Sequence, residues 1–273
     1  MLDDPMSCPI CTGKAEFELL VDIFGELPRK LNRCTVCKSC FYRNPDWLVR
    51  AYSDVISTLD TGISERADDI ANILTLFSLD SKYQGVKFLD FGGGTGLLAR
   101  KLRDRGFDWY STDPLARSTI PLPKVESSSS FAIVSLIEVL EHIQDPLSCL
   151  RSISAVTDTI FISTQIATDN TIDPSWWYLQ PESGQHIFFL SSAGLEKLGE
   201  LLHLNVYSNG SNLHVLSRNP ISVLQKFSVK FQRLAWMVGL GIGTARRSKS
   251  LSVSDHLQAK SKLQNTVQGS TTD

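Results

Sequence analysis

Hydrophobic and polar positions repeat with two different periods, and the change of period divides the chain. In residues 43–84 apolar residues recur at helical spacing, as in "ERADDIANILTLFSL", after a helix start at "NPDWLVRAY". From residue 86, short β-branched and aromatic runs alternate with helical ones: "VKFLDF", "LLARKLRDRG", "DWYSTD", "FAIVSLI", "PLSCLRSISAV" and "TIFISTQ". Alternating strands and helices predict an α/β fold with a doubly wound, mostly parallel sheet that is covered on both faces.

The pattern changes again at the end of this region. "SSAGLEKLGELL" predicts an amphipathic helix with a serine start, and two strand-like runs, "LNVYSNG" and "NLHVLSR", follow it. Little more than Asn209 and Gly210 separates these runs, so we expect them to pair antiparallel. The expected divisions are a cysteine-bearing segment (1–42), a helical linker (43–84), the main domain (85–219), a C-terminal helix (220–243) and a disordered tail (244–273).

Charge and hydropathy restrict the partners. Of 273 residues, 27 are basic and 29 are acidic, so the net charge is −2 and no overall field would hold the chain on nucleic acid. The sequence has no leader-like start and no stretch of about 18 apolar residues, so we expect no integral membrane segment and a cytoplasmic location. The apolar run 223–241 is expected to pack on the domain as a helix, the alternative being a helix on a membrane surface.

Five of the six cysteines lie before residue 41, which favours a local metal site over disulfides spread through a secreted domain. Cys40 is either a spare or a competitor of Cys37, and Cys149, on a predicted helix, is expected to be a buried core thiol. A structural zinc would supply the stability that this short segment lacks, and the alternative is a redox dithiol. The predicted ligands form two C-x-x-C pairs separated by 22 residues, which is zinc-ribbon spacing: Cys8, Cys11, Cys34 and Cys37.

A strand, a glycine turn and a helix follow one another in "FLDFGGGTGLLAR", residues 88–100. Glycines allow positive φ and close approach of a ligand, and the N–H groups at a helix start attract carboxylate or phosphate. The spacing is not the G-x-G-x-x-G of a dinucleotide site, and no Gly-Lys-Ser/Thr follows as in a P-loop. The candidate binding residues are Asp90, Gly92, Gly93, Gly94 and Gly96.

This D-x-G-x-G-x-G form resembles the first motif of class I S-adenosylmethionine-dependent methyltransferases. Asp113 ends the strand "FDWYSTDP" 23 residues after Asp90, and "FAIVSLIEVLEHIQDP" is similar to the family's fourth strand and following loop. The resemblance implies S-adenosylmethionine as cofactor, Asp113 as acceptor of ribose hydrogen bonds, and a seven-stranded Rossmann-like sheet with an antiparallel last strand. Two departures are Ala132, where the family usually has Asp, and the 17 residues between Asp113 and Phe131, too few for the usual helix and third strand.

Glu138, Glu141 and His142 follow the fourth predicted strand, where a sheet of this type opens its ligand crevice. Glu138 and the adjoining loop are expected to border the methionine end of the cofactor. A Glu-x-x-Glu-His group also binds metal in a small-RNA end methyltransferase, but that site needs a further histidine shortly afterwards. This chain has Pro146 there, so no catalytic metal is predicted. The alternative for His142 and Asp145 is that they cap the next helix.

The predicted acceptor region is "DPSWWYLQPESGQHIFFLSSAGL", residues 173–195. Trp176, Trp177 and Tyr178 either shape an acceptor pocket or form a lid over the cofactor. "GQHIFFLS" resembles a Gly-Glu-His-x-x-Tyr/Phe-Phe-Ser segment of methyltransferases that include zinc-ribbon sugar C-methyltransferases, with Gln185 in place of the Glu. The resemblance implies His186 as general base, a role that suits an imidazole with a pKa of about 6.5. The alternative is that His186 only anchors the loop.

Together these features predict an enzyme that transfers a methyl group from S-adenosylmethionine to a small-molecule or sugar-linked acceptor. A ribosomal RNA methyltransferase is one alternative, because one such family also joins a four-cysteine N-terminal site to this fold. The net charge of −2 counts against it. A degenerate, non-catalytic methyltransferase fold that serves as a binding module is the other alternative, and Ala132 and Gln185 are its motivation.

Overall fold

A computed structural model describes residues 7–53, 57, 59–125, 129–168 and 170–269. The β-strands in these residues are β1 (Ala15–Ile23), β2 (Leu27–Cys34), β3 (Cys40–Tyr42), β4 (Lys87–Phe91), β5 (Asp108–Thr112), β6 (Ile133–Ile137), β7 (Thr159–Ser163), β8 (Phe188–Phe189), β9 (Asn205–Ser208) and β10 (Leu213–Ser217). The α-helices are α1 (Leu48–Ala51), α2 (Ile63–Phe77), α3 (Leu97–Arg103), α4 (Pro146–Ser154), α5 (Ser192–Leu202), α6 (Val223–Lys230), α7 (Gln232–Ala245) and α8 (Ser252–Gly269).

The strands form two sheets. A four-stranded sheet has the order β1-β2-β3-β8, and a six-stranded sheet has the order β5-β4-β6-β7-β10-β9. In the larger sheet β4 pairs with β5 and β6 with β7 in parallel, whereas β10 runs antiparallel to both β7 and β9. Every residue of β7 and of β10 is buried, as expected for strands covered on both faces. The α/β class and the antiparallel last strand are confirmed.

The larger sheet has six strands in the described part of the chain, where the resemblance implied seven. β5 ends at Thr112 and β6 begins at Ile133, and the described residues between them contain no helix and no strand longer than a single bridge. A third strand would need a helical crossover on each side of it, each of about a dozen residues or more, and the 20 residues between Thr112 and Ile133 are too few for both. The expected third strand and its helix are therefore absent from the described residues.

The chain divides into two compact units, residues 1–61 with 133–221 and residues 62–132 with 222–273. This division follows packing, whereas the expected one followed motifs, and the expected domain boundaries stay a prediction.

The first unit joins the cysteine-bearing segment to a distant part of the chain. Strand β8 pairs with β3, so Phe188 and Phe189 extend the small sheet. The hydroxyl of Ser191, which caps α5, donates to the carbonyl of Cys37. The segment therefore packs as part of the first unit and not as a free module.

The second unit is held together by α2, against which α6 and α7 pack. A Cβ atom added to Gly239 of α7 would lie 1.9 Å from the carbonyl oxygen of Asn72, so the two helices approach as closely as glycine allows. The run 223–241 packs as expected, but it forms two helices where one was expected. The capping box of Ser222 and Gln225 begins α6, and the break at Phe231 separates it from α7.

The expectation of a disordered tail from residue 244 is wrong over residues 246–269, which form a short 3-10 turn and helix α8. Asp255 of α8 pairs with Arg100 and with Arg103, which is itself 4% exposed. The N–H of Leu251 also donates to the carbonyl of Arg103 at 3.0 Å. These long-range partners fix a segment whose polar composition alone predicted disorder.

Candidate functional site

The glycine turn joins β4 to α3 in the second unit. Gly92, Gly94 and Gly96 have φ angles of 71°, 52° and 85°, a region that residues with a side chain rarely adopt. A Cβ atom on Gly93 would lie 2.4 Å from Oγ of Ser111, so glycine is needed there for space. All four predicted glycines therefore have a structural reason to be glycine, and residues 92–95 of the turn are partly exposed.

Asp113 is bonded to the glycine turn. The N–H of Gly94 donates to Oδ2 of Asp113 at 3.0 Å, and the N–H groups of Leu115 and Ala116 donate to Oδ1 at 2.8 Å each. Because Oδ2 accepts one of these bonds and Oδ1 two, Oδ2 keeps a lone pair for a ligand hydroxyl. Asp90, the fourth residue of β4, is buried, and its Oδ2 lies 2.5 Å from where a Cβ atom on Gly93 would be. The structure thus brings the predicted cofactor residues of this unit together.

Glu138 lies directly after β6 in the first unit and has a φ of 52°. Its carboxylate accepts hydrogen bonds from the hydroxyls of Ser163 and, at 3.0 Å, Tyr178. A non-glycine residue in the left-handed region costs free energy and persists only where surrounding contacts fix it. Such strain beside the carboxyl end of a strand is typical of functional positions. Sequence reasoning missed Ser163 and the link of Tyr178 to Glu138, because nothing local signals either contact.

Glu141 is fully buried, and neither carboxylate oxygen accepts a well-formed hydrogen bond from another described residue. Burial raises the pKa of Glu141, while the neighbouring polar groups of Tyr178, Thr164 and Glu138 lower it by less. The pKa of the Tyr178 hydroxyl is raised well above its ordinary value, first by burial and then by the charges of Glu141 and Glu138. This environment therefore favours the protonated forms of Glu141 and Tyr178.

Two histidines complete this cluster through matched backbone contacts. Nδ1 of His186 lies 2.7 Å from the carbonyl oxygen of Tyr178, and Nδ1 of His142 lies 3.0 Å from that of Gln185. A carbonyl oxygen only accepts, so Nδ1 carries the proton in both neutral rings and Nε2 is the basic nitrogen. The two rings meet edge to face with centroids 5.0 Å apart. His186 is 5% exposed.

Glu141, His142 and His186 each offer a ligand atom within 4.8 Å of the others. The sequence excluded a catalytic metal because Pro146 occupies the position of the next expected histidine. In the structure the second histidine of this group is His186, which lies far along the sequence from Glu141 and His142. Three possible metal-ligand atoms therefore lie close together, a grouping that the local spacing of the sequence did not predict.

The aromatic residues of the predicted acceptor region separate in the structure. Tyr178 is fully buried in the core of the first unit, and Trp176 packs on Phe189 with ring centroids 5.7 Å apart. Trp177 is 64% exposed. Of the three, only Tyr178 reaches the Glu138 carboxylate, so the pocket and lid interpretations both stay predictions for the other two.

Two residues that the sequence flagged have structural partners. Nε2 of Gln185 donates to the carbonyl of Ala51 at 2.9 Å. The glutamine that departs from the family pattern therefore binds the last residue of α1. The carboxylate of Asp145 accepts the N–H of Ser148 at 2.9 Å and caps α4, as one of the two interpretations proposed. His142 takes no part in that cap.

Four cysteine sulfurs come together at the start of the first unit. Sγ of Cys8 lies 3.5 Å from that of Cys37, Sγ of Cys11 lies 3.4 Å from that of Cys34, and all four lie within 4.8 Å of one another. A tetrahedral zinc with Zn–S bonds of about 2.3 Å would separate its sulfurs by about 3.8 Å. The pKa of Cys37 is lowered to about 5, chiefly by its hydrogen bond with Cys8. The arrangement fits a tetrahedral ion.

Cys40 is excluded from this set. It is fully buried in the hydrophobic core of the first unit, and burial raises the pKa of its thiol to about 12. A buried, protonated thiol is a poor metal ligand. Of the two roles considered for Cys40, competitor of Cys37 or spare, the packing supports the second.

A cavity of about 690 Å³ in the second unit lies away from the predicted site. It is bordered by the chain that enters β4 and β5, including Val86 and Gly106, and by Arg246 and Asp255. Ligands of doubly wound sheets bind at the carboxyl ends of the strands. This cavity lies at the amino ends and contains none of the predicted site residues.

The model of a family described as a methyltransferase domain matches residues 63–209, which is more than half of the chain. A search of curated proteins gives no match.

Solved structures similar to this chain include three methyltransferases. An O-methyltransferase family protein from Burkholderia thailandensis shares 12% identity at a TM-score of 0.47, over 63% of each chain. Magnesium protoporphyrin IX methyltransferase from Synechocystis PCC 6803, with bound S-adenosylhomocysteine, shares 16% identity at 0.43, over 64% of this chain and 94% of that one. The mitomycin 7-O-methyltransferase shares 15% at 0.45, over 63% and 60%. The chain thus spans about 63% of the length of the first structure.

Proposed function

We propose that this chain, which belongs to the family of methyltransferase domains, transfers the methyl group of S-adenosylmethionine to a small-molecule or sugar-linked acceptor. The observation that carries the proposal is the glycine turn bonded to Asp113 through the N–H of Gly94. In this proposal the turn binds the amino-acid end of the cofactor and Asp113 binds the ribose hydroxyls. Glu138 stays a proposed cofactor residue because of its strained backbone and fixed carboxylate.

His186 is the proposed general base. Because its Nδ1–H is held by the carbonyl of Tyr178, the ring presents Nε2 as the nitrogen that accepts a proton from the acceptor. The sulfonium carries the driving force for the transfer, so the protein mainly needs to align the acceptor, methyl group and sulfur. As the acceptor atom bonds to the methyl carbon and the methyl–sulfur bond breaks, with its electron pair left on sulfur, the proton on that acceptor atom would pass to Nε2 of His186.

A structural zinc on the four cysteines is the second part of the proposal. The sulfur spacing fits the ion, and the N–H groups of Ile10, Val36 and Cys37 each lie 3.4 Å from a cysteine sulfur, which favours thiolate ligands. Because this segment packs within the first unit through β8 and Ser191, the ion would stabilise that unit and take no part in methyl transfer.

The test begins with calorimetric binding of S-adenosylmethionine to the zinc-loaded protein. Formation of S-adenosylhomocysteine is then measured with a panel of nucleotide sugars and hydroxylated small molecules as acceptors. Absence of cofactor binding by the folded protein would favour a non-catalytic binding module. Methylation of ribosomal RNA, with binding that weakens steeply as salt rises, would favour the RNA alternative.

The base is tested with His186→Ala once an acceptor is found. A lost general base lowers the transfer rate by about 100-fold or more, with little change in cofactor affinity. His256→Ala is the matched control, because His256 is an exposed histidine on α8. Normal turnover by His186→Ala would remove the base and leave His186 as an anchor of its loop.

A further inference from the structure

Helices α6 and α7 expose large apolar side chains interspersed with basic ones. We define the α6–α7 face by apolar Phe231, Leu234 and Met237 and by basic Lys226, Lys230 and Arg233, all of which are exposed. The apolar three are 52%, 48% and 53% exposed, respectively. Adjacent apolar residues that large on a water-facing helix surface mark a binding surface more often than a fold requirement.

The packing of α7 does not account for this face. The helix contacts the rest of its unit through Ala235, Gly239 and Gly243, all of which are buried. Leu234, Met237 and the neighbouring Val238 lie outside that contact and are about half exposed. A surface helix needs one apolar stripe to pack, and α7 has a second on the opposite side.

The charged residues of the chain segment that forms the face are all basic. The sequence has no acidic residue from 201 to 254, whereas 220–250 contains Lys226, Lys230, Arg233, Arg246, Arg247 and Lys249. The whole chain carries a net charge of −2, so this concentration is local. The occupant of the face should therefore be both apolar and anionic.

An anionic lipid surface has both properties. An interfacial helix buries its apolar face at the boundary of headgroups and acyl chains, while Lys and Arg contact the lipid phosphates. A nucleic acid would match the charge but leave Phe231, Leu234 and Met237 in water. A second copy of the chain would cover the apolar residues but bring two basic faces together.

The helices lie on such a surface and do not cross it. The 14 residues of α7 span about 21 Å, against about 30 Å for the hydrocarbon core of a bilayer. No helix in the described part of the chain is long and apolar enough to cross a membrane. We propose that the α6–α7 face docks the protein on anionic membrane surfaces, an inference that goes beyond the proposed methyl transfer and does not rest on it.

The first test is co-sedimentation of the full chain with vesicles. We expect binding to phosphatidylcholine vesicles that contain phosphatidylglycerol, weaker binding as salt rises, and little binding to phosphatidylcholine alone. The double variant Leu234→Glu with Met237→Glu should bind roughly 30-fold more weakly, because both side chains lose their apolar burial in the lipid. The matched control is Leu20→Glu with Val49→Glu, which changes two exposed apolar residues of the first unit in the same way.

The second test removes charge. The triple variant Lys226→Gln, Lys230→Gln and Arg233→Gln should lose about fivefold in partition per charge, which is about 1 kcal/mol each, and so about 100-fold in all. The control with the same charge change is Lys14→Gln, Lys30→Gln and Arg43→Gln, three exposed residues of the cysteine-bearing segment and its flank. Circular dichroism confirms that each variant folds.

Three results would overturn the proposal. The first is no binding of wild-type protein to anionic vesicles at low salt. The second is equal loss in the α6–α7 variants and their controls. The third is a stable dimer by light scattering that the Leu234→Glu, Met237→Glu variant disrupts, without vesicle binding, which would make a second copy the occupant. None of these measurements uses methyl transfer, so they stand apart from a failure of the proposed function.

Discussion

Replacing Asp113 is the sharpest test of the cofactor assignment. In Asp113→Ala the ribose hydroxyls lose a charged acceptor, and the N–H of Gly94 loses the bond that positions the glycine turn. A hydrogen bond to a charged group contributes about 1.5–3 kcal/mol. The dissociation constant for S-adenosylmethionine should therefore rise by about 10- to 100-fold. Asp113→Asn keeps one acceptor oxygen but loses the charge, so its affinity should fall between those of the wild type and Asp113→Ala.

The variant also loses a turn cap, and the control must match that loss. Oδ1 of Asp113 accepts the N–H groups of Leu115 and Ala116, so removing it costs about 1 kcal/mol of unfolding free energy. Asp80 provides the comparison, because its carboxylate caps a turn of the same unit by accepting the N–H of Lys82 at 3.2 Å. Asp80→Ala should destabilise the unit by a similar amount without changing cofactor affinity.

The assay is isothermal titration of S-adenosylmethionine and of S-adenosylhomocysteine, at a temperature well below the melting point of each variant. An unchanged dissociation constant for Asp113→Ala would refute the ribose assignment. An equal loss of affinity in Asp80→Ala would show that the effect is one of stability and not of a contact with the cofactor.

The remaining predictions concern stability and the metal. Cys34→Ser should release zinc and lower the melting temperature, while Cys40→Ser keeps one zinc per chain by elemental analysis; equal zinc content in both would contradict the ligand set. Asp255→Asn removes one of the two carboxylates that pair with the buried Arg103 guanidinium, the other being Asp108, and should cost about 1.5–3 kcal/mol in urea unfolding. Unchanged stability would show that this ion pair contributes nothing. Burial raises the pKa of Asp255, but its bonds to Arg103 and Arg100 lower it by more, so the folded pKa lies below the ordinary value of 3.8. The contribution of Asp255 to stability is therefore fully present above pH 3.8 and is lost as pH falls through the lower folded pKa. Urea unfolding at several pH values measures this loss. Gly239→Ala should destabilise the protein by about 1–3 kcal/mol, because its Cβ would lie 1.9 Å from a backbone oxygen of α2. Gly241→Ala has open space around it and should stabilise the protein by up to about 1 kcal/mol. Equal changes in stability for the two variants would refute the close contact at Gly239.

Local chemistry allowed much of the fold and of the cofactor site to be predicted. The glycine spacing after β4 needs only a turn with positive φ, and Asp113 follows one strand later, so both lie within a short stretch of chain. The two C-x-x-C pairs are likewise local, and their sulfurs meet because a hairpin of β1 and β2 connects them. The absence of the third strand from the described residues also follows from length, since the connection after Asp113 is too short to hold it.

Contacts between distant residues could not be predicted in this way. His186 was predicted as a general base or as an anchor of its loop, and the structure brings it beside His142 and Glu141, a contact that the sequence did not predict. The tail was expected to be disordered from its polar composition, yet Asp255 reaches Arg103, 152 residues earlier in the chain. Neither pair leaves a trace in periodicity or spacing, because such partners are chosen by packing and not by the local backbone.

The sequence by itself determined the alternation of strands and helices in the larger sheet, the glycine turn with Asp113, and the pairing of four cysteines at the start of the chain, because hydrophobic period, backbone freedom and residue spacing act over a few residues. Tertiary structure alone decided that β8 completes the sheet of the cysteine segment, that α8 is ordered, and that α7 exposes a second apolar stripe among basic side chains. The physical reason is that burial and ion pairing depend on neighbours in space, and residues distant in sequence become neighbours only once the chain has folded.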